Sequence, residues 1–232
     1  MRRRRAITIF VTAVTAICLL AGAMPAMIEQ TVPPNQQVDS SDSTTPKPNT
    51  SLATQALEKL PIKGRAPKTG YERAQFGNGW AQVNGCSSRD IILYRDLEQV
   101  EMSGECKVVK GVLRDPYTAK TITFTKDNAS SVQIDHVVAL SDAWQKGAQQ
   151  LTAEQRKQLA NDPLELIAVD GPANQQKSDG DAATWLPKNK AFRCEYVARQ
   201  IAIKIKYLLW VTRAEYDAMQ SVLRDCPLQV LP

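Results

Sequence analysis

The 232-residue sequence predicts an α+β domain, and three observations lead there. The alternating, β-branched segment Thr121-Ile-Thr-Phe-Thr125 follows a turn at Asp115-Pro116, as the second strand of a hairpin does. The compact apolar run Leu164–Val169 is bounded by Pro163 and by Asp170-Gly171, which marks a strand. The C-terminal part, from Pro187 to Cys226, carries two helix-opening signals.

The elements follow in order. Four arginines precede an apolar run from Ala6 to about Ile28, with small residues at Ala21-Gly22-Ala23, so residues 1–28 are a signal peptide or membrane anchor. The run has the ~20 residues that a spanning helix needs. Either way, the rest of the chain is placed outside the cell, secreted or anchored on the outer side of the membrane. The chain meets a membrane only if this segment stays uncleaved. Residues 29–68 are rich in Pro, Ser, Thr, Gln and Asn and read as a disordered linker, with one short helix allowed at Leu52–Leu60. Residues 69–232 are long enough for one domain with its own core.

Within the domain, Arg89–Leu97 fits a short helix or a strand. Cys106–Leu113 and Thr121–Thr125 form an N-terminal β-hairpin across the turn Asp115–Lys120. Ser131–Ile134 is a strand leading into Asp135-His136. Leu140–Ala148 and Thr152–Ala160 are helical, the second opened by a capping box at Thr152-Ala-Glu-Gln155. After the strand Leu164–Val169, Pro172–Ser178 forms a two-turn helix that stops at Gly180. A long helix runs from Pro187 to about Tyr207, and Thr212 caps another that ends near Cys226.

Charge says little about partners. Four of the five net positive charges are the arginines at positions 2–5, so the processed chain is close to neutral. The basic stretch Lys188, Lys190, Arg193, Arg199, Lys204 and Lys206 reads as a solvated helix face or as a phosphate-contacting one. Trp144, Trp185 and Trp210 read as core. One of the five cysteines, Cys18, lies in the apolar run. The other four suit two disulfides in an exported protein. Of three possible pairings the sequence-local ones, Cys86–Cys106 and Cys194–Cys226, are favoured, each worth roughly 3 kcal/mol in loop-closure entropy. The second requires the two C-terminal helices to run antiparallel.

The chain has one histidine, His136, directly after Asp135. A mechanism that needs an imidazole base must use it, and a zinc site with two histidines is excluded within one chain. The helix after the second strand presents Asn174, Lys177 and Ser178, which share a face at i, i+3 and i+4. A carboxylate, an imidazole, an amide oxygen and an ammonium then come within reach of one another. Few oxygen ligands suit Mg²⁺, the imidazole can deprotonate a water, and a lysine can hold a phosphate as a point charge. These are the parts of metal-assisted phosphodiester hydrolysis.

Asp135-His136-Val-Val, followed by Leu166-Ile-Ala-Val-Asp-Gly-Pro-Ala-Asn174-Gln-Gln-Lys177-Ser-Asp179, resembles the HNH (ββα-metal) nucleases. It is most similar to exported HNH proteins related to the C-terminal domain of the GmrSD restriction enzymes. The resemblance covers most of Tyr71–Cys226 and implies a ββα-metal core extended by the N-terminal β-hairpin and the C-terminal helical hairpin. It implies that His136 is the general base, that Asp135 and Asn174 bind one divalent metal (Mg²⁺, or Mn²⁺ as the alternative), and that Lys177 contacts substrate phosphate. The middle asparagine of many HNH proteins corresponds here to Glu165, which would brace the loop carrying the histidine, orient His136, or join the metal shell. Asp179 and Asp181 read as caps. The implied function is a secreted, monomeric, metal-dependent endonuclease acting on DNA with low sequence specificity, RNA being the alternative substrate. A non-catalytic tethered module that binds nucleic acid or envelope is the alternative function. A metallopeptidase is disfavoured, since HExxH is absent.

Overall fold

A computed structural model describes residues 52–232; the expected signal segment and most of the expected linker lie outside the described residues. The described residues are packed from Leu52 on, and the short helix allowed at Leu52–Leu60 is present. Helix α1 (Ala53–Leu57) buries Ala53, Ala56 and Leu57, and Leu60 follows them into the core. The strap behind it is tied down by backbone: Ala53 N–H donates to Gln229 O (2.8 Å), and Lys63 N–H donates to Val211 O (2.9 Å). The physical reason is spacing. Apolar residues 53, 56, 57 and 60 share one helix face, and docking on the C-terminal helices stabilises a helix too short to persist alone. Average composition conceals such a face.

Strands β1 (Gln82–Val83) and β2 (Cys86–Ser87) form a small ribbon across Asn84-Gly85, both in the left-handed region. The ambiguous Arg89–Leu97 segment is helical: α2 (Ser88–Asp96) is capped by Ser87, whose hydroxyl accepts from Asp90 N–H. Next comes an antiparallel sheet in the order β3 (Leu97–Ser103), β4 (Lys107–Arg114), β5 (Thr121–Thr125). β4 and β5 are the expected hairpin. β3 was not foreseen because only Leu97 is buried along it and its register shifts twice against β4, so it lacks the alternation that marks a half-buried strand.

Strand β6 (Val132–His136) is followed by α3 (Leu140–Gln145) and α4 (Ala153–Ala160), the latter opened by the expected capping box of Thr152 and Gln155. β7 (Leu166–Asp170) then pairs antiparallel with β6, placing Asp135 opposite Ile167 and His136 opposite Leu166. All of β7 is buried, because the β6–β7 ribbon lies between two hydrophobic clusters. Val132, Ile134, Leu166 and Ala168 pack with α2 and the three-stranded sheet; Ile167 and Val169 face the larger core. A strand buried on both faces reads as a continuous apolar run, as this one does.

Helix α5 (Gly171–Lys177) starts at once after β7, with Asp170 as its cap accepting from Ala173 N–H (2.8 Å) and Pro172 in the first turn. Gly171 is required there, because a Cβ would lie 2.1 Å from the Ser130 carbonyl oxygen. Helices α6 (Arg193–Lys206) and α7 (Arg213–Arg224) complete the domain. α6 begins at Arg193 rather than Pro187, after a short 3₁₀ turn capped by Asn189. Disulfides join Cys86 to Cys106 and Cys194 to Cys226, the second linking the start of α6 to the second residue beyond the end of α7, so those helices run antiparallel.

The basic stretch is not a single face. Lys204 is fully buried and pairs with Glu215 (3.0 Å), while Lys206 pairs with Asp162 (2.6 Å). Lys204 belongs to an internal ionic cluster in which Lys146 contacts Asp142 (2.7 Å), Asp181 (2.7 Å) and Glu215 (2.6 Å), and Arg65 of the strap reaches Asp142 and Asp181. Such a cluster specifies how α3, α6, α7 and the strap meet more than it stabilises them. Trp144 and Trp210 are buried in the core, and Trp185 packs edge-on against Tyr117. Among the described residues, no helix is long and apolar enough to cross a membrane.

Candidate active site

β6 ends where the site begins. Successive side chains on a strand project to opposite faces, so Asp135 goes with Gln133 toward α5, and His136 goes with Ile134 toward α2. Both reach the same cavity because the ribbon stops there. The cavity holds about 540 Å³ and is lined on this side by Gln133, Asp135, His136 and Asn174.

His136 is only 6% exposed. Its Nε2 lies 2.9 Å from the Ala160 carbonyl at the end of α4. A carbonyl can only accept, so Nε2 carries the hydrogen and the lone pair of the neutral ring sits on Nδ1. Trp80 lies parallel to the imidazole, with centroids 6.0 Å apart and 4° between planes. Burial holds the imidazole pKa down to about 3; the Ala160 bond opposes this, and Arg73 and Lys177 add to it. The ring is therefore neutral at neutral pH.

Asp135 is held from two sides. Tyr117 donates its hydroxyl to Oδ2 (2.5 Å), and the Lys177 ammonium donates to Oδ1 (2.9 Å). Burial, with the Asp135 charge beside it, pushes the Tyr117 phenol well above its ordinary pKa, so it remains a donor. Lys177 corrects an expectation. Its side chain is fully enclosed, and its second bond goes to the His136 carbonyl (2.7 Å), so it does not reach out to substrate phosphate. The i, i+3 geometry of α5 does bring it to the site, but on the inner side of the ribbon, where a buried ammonium needs a carboxylate partner.

Glu165 is fully buried in the residue before β7. Its carboxyl accepts from Val138 N–H at 3.2 Å, and its backbone carbonyl accepts from Val137 N–H at 2.9 Å. The two residues after His136 are thus fixed by one residue of the opposing strand segment. Of the three roles considered for Glu165, these bonds are of the kind a brace would make, whereas Nε2 of His136 bonds the Ala160 carbonyl and not Glu165. Burial pushes the Glu165 carboxyl well above its ordinary pKa. Asn174, half-buried, donates through Nδ2 to Gln133 Oε1 (2.9 Å), which leaves its own Oδ1 as a free acceptor.

Residues 88–222 match the family described as GmrSD restriction endonucleases, C-terminal domain. The chain belongs to this GmrSD C-terminal domain family. It is also 38% identical over 182 residues to a protein of Arthroderma benhamiae named as an uncharacterized secreted protein, covering 77% of this chain and 87% of that one. No solved structure matches.

Within this GmrSD-type domain, Asp135 and Asn174 are the side chains at the cavity whose oxygens could hold one small divalent cation. Asp135 Oδ1 has a single hydrogen-bond partner and Asn174 Oδ1 has none, and two hard oxygens suit an ion that keeps most of its waters. Among the described residues, no group of three or more His, Cys, Asp and Glu could hold a metal. An all-protein cage is therefore not available there, and substrate and water oxygens would supply the rest of the shell. Asp179 lines the cavity but pairs with Lys68 (3.1 Å), and Asp181 belongs to the ionic cluster.

The sequence reading missed Tyr117, Arg73, Trp80 and Arg89, all at the GmrSD-type site. Tyr117 lies in the Asp-Pro turn, whose local chemistry accounted for the segment without it. Trp80 follows Gly77-Asn78-Gly79, and a tryptophan in a glycine-rich loop has no periodic reason to be core. That was a usable signal.

Proposed function

We propose that this domain is an exported, metal-dependent endonuclease that hydrolyses DNA phosphodiester bonds with little sequence preference, and that β6, β7 and α5 form a ββα-metal unit. The observation that carries the reading is the state of His136. It is a neutral imidazole anchored through Nε2, with its lone pair on Nδ1, in the same cavity as Asp135 and Asn174.

In this reading, Nδ1 of His136 takes a proton from the attacking water. The bond to the Ala160 carbonyl fixes the tautomer and steadies the imidazolium that forms. An anionic phosphate in the cavity favours that imidazolium too, offsetting the burial that depresses the free ring. Tyr117 and Lys177 hold the Asp135 carboxylate in one orientation. Glu165 fixes the backbone that follows the base. A divalent ion held by Asp135 and Asn174 would supply Lewis-acid stabilisation of charge on the phosphate oxygens. Low sequence preference is expected because the sequence offers little that marks a dedicated reader of base edges, so backbone contact should dominate. Export is supported by two disulfides and by the secreted designation of the fungal relative.

Plasmid nicking by the purified protein tests this. Conversion of supercoiled to open-circular DNA is expected with Mg²⁺ or Mn²⁺, and no conversion in EDTA or with His136→Ala. Cleavage that survives either treatment overturns the mechanism. One observation favours a second reading, a non-catalytic tethered module that binds nucleic acid: the Lys177 ammonium already neutralises Asp135. That reading predicts binding without scission, and equal affinity in His136→Ala.

A further inference from the structure

Two guanidinium groups at the cavity are left without partners. Arg89, in the first turn of α2, is half-buried, and Arg73, in the 3₁₀ turn Arg73–Phe76, is exposed; both line the cavity. Among the described residues, neither makes an ion pair or a side-chain hydrogen bond, although the other cations at the cavity find acids. Lys68 at the cavity rim holds Asp179, and Lys177 beneath it holds Asp135. The acid next to Arg89, Asp90, is already bonded to the Ser87 hydroxyl (2.6 Å) and faces Lys107 (3.6 Å). Both acids lining the cavity are thus neutralised, and two positive charges remain in surplus. A half-buried guanidinium with no counter-charge is costly unless an anion completes it. The planar donor fork of arginine matches two oxygens of a phosphodiester.

We infer that Arg73 and Arg89 grip the backbone phosphates of the bound strand in the cavity that holds His136, and so take the contact that the enclosed Lys177 cannot make. The inference rests on the nuclease reading for the identity of the anion. Trp80 lines the same cavity as both arginines and lies parallel to the imidazole ring, so a phosphate held by this pair lies in the cavity that His136 faces.

The test is fluorescence-anisotropy titration of a labelled DNA duplex across a salt series, in the His136→Ala background so that no cleavage intervenes. Arg73→Gln and Arg89→Gln should each weaken binding about tenfold or more. Each should also lower the slope of log K against log salt by roughly 0.9, the value of one lost phosphate contact on duplex DNA. Arg89→Lys should keep the slope and lose part of the affinity. Lys188→Gln and Lys190→Gln, exposed near the start of α6, should change neither quantity. In the otherwise native enzyme, the arginine variants should raise KM more than they lower kcat. If Arg89→Gln fails to fold by circular dichroism, Arg73→Gln, on an exposed residue, decides alone. Unchanged affinity and slope in the arginine variants, or losses confined to Lys188 and Lys190, overturn the inference. A native protein that binds through these arginines but never cuts would defeat the nuclease reading and leave the phosphate grip standing.

Discussion

Replacing Lys177 by methionine separates a buried structural lysine from a substrate-facing one. In the structure its ammonium is fully enclosed, 2.9 Å from the Asp135 carboxylate and 2.7 Å from the His136 carbonyl. Methionine fills most of the same volume, so packing changes little. What is lost is the counter-charge of a carboxylate only 7% exposed. Breaking a buried pair on one side costs about 3–5 kcal/mol. For a domain of this size, each kcal/mol moves Tm by about 2–4 °C, so a fall of roughly 6–20 °C is expected. Removing the partner charge as well, in Asp135→Asn with Lys177→Met, should recover a large part of that loss, since no bare charge is left inside. Urea unfolding of the four proteins of the cycle gives the coupling directly. A Lys177→Met protein as stable as the native one, with weakened DNA binding and a reduced salt slope, would refute the argument and restore Lys177 as a phosphate contact.

Acid should destabilise the domain through His136. The folded ring resists protonation down to about 3, while the unfolded chain takes a proton near 6.5, so stability present above pH 6.5 falls as pH drops toward 3. The full effect is about 4–5 kcal/mol as an upper bound, and unfolding free energies measured from pH 7 to pH 4 should show a shallower fall in His136→Gln. Gly171→Ala should destabilise by about 1–3 kcal/mol or more, because the new Cβ meets a backbone oxygen that cannot swing away; a Tm within 1–2 °C of native would contradict this. Cys194→Ser with Cys226→Ser should lose about 3–4 kcal/mol for a bridge spanning 32 residues, read by urea denaturation, with DNA cleavage retained at temperatures where the variant is folded.

The sequence was most legible where local chemistry and burial agreed. The hairpin of β4 and β5, the capping box of α4, the Pro-opened α5 and both disulfide pairings follow from turn residues, caps and cysteine spacing. Asp135, His136 and Asn174 could be placed together because a strand end, a returning strand and a short helix leave little freedom. β3 was illegible because an exposed, bulged edge strand carries no apolar alternation. α1 was legible as a short helix at Leu52–Leu60, but its docking on the core was not, because the apolar face of residues 53, 56, 57 and 60 sits in a Pro- and Ser-rich stretch. Lys177 shows a different limit: helical spacing indicates which face a residue occupies, not whether that face is open to solvent or closed over a carboxylate. Arg73 and Arg89 reach the cavity by tertiary packing from elements remote in sequence, and no local pattern marks them; only Trp80, in its glycine-rich loop, carried a local signal.

The most direct measurement is single-turnover cleavage of a labelled duplex oligonucleotide at saturating enzyme and fixed Mg²⁺, comparing native protein with His136→Ala at equal duplex occupancy. A lost general base should lower the rate constant by about 10²–10⁴-fold. Equal rates in the two proteins, or no strand scission by the native protein at all, would contradict the role assigned to the only imidazole in the chain.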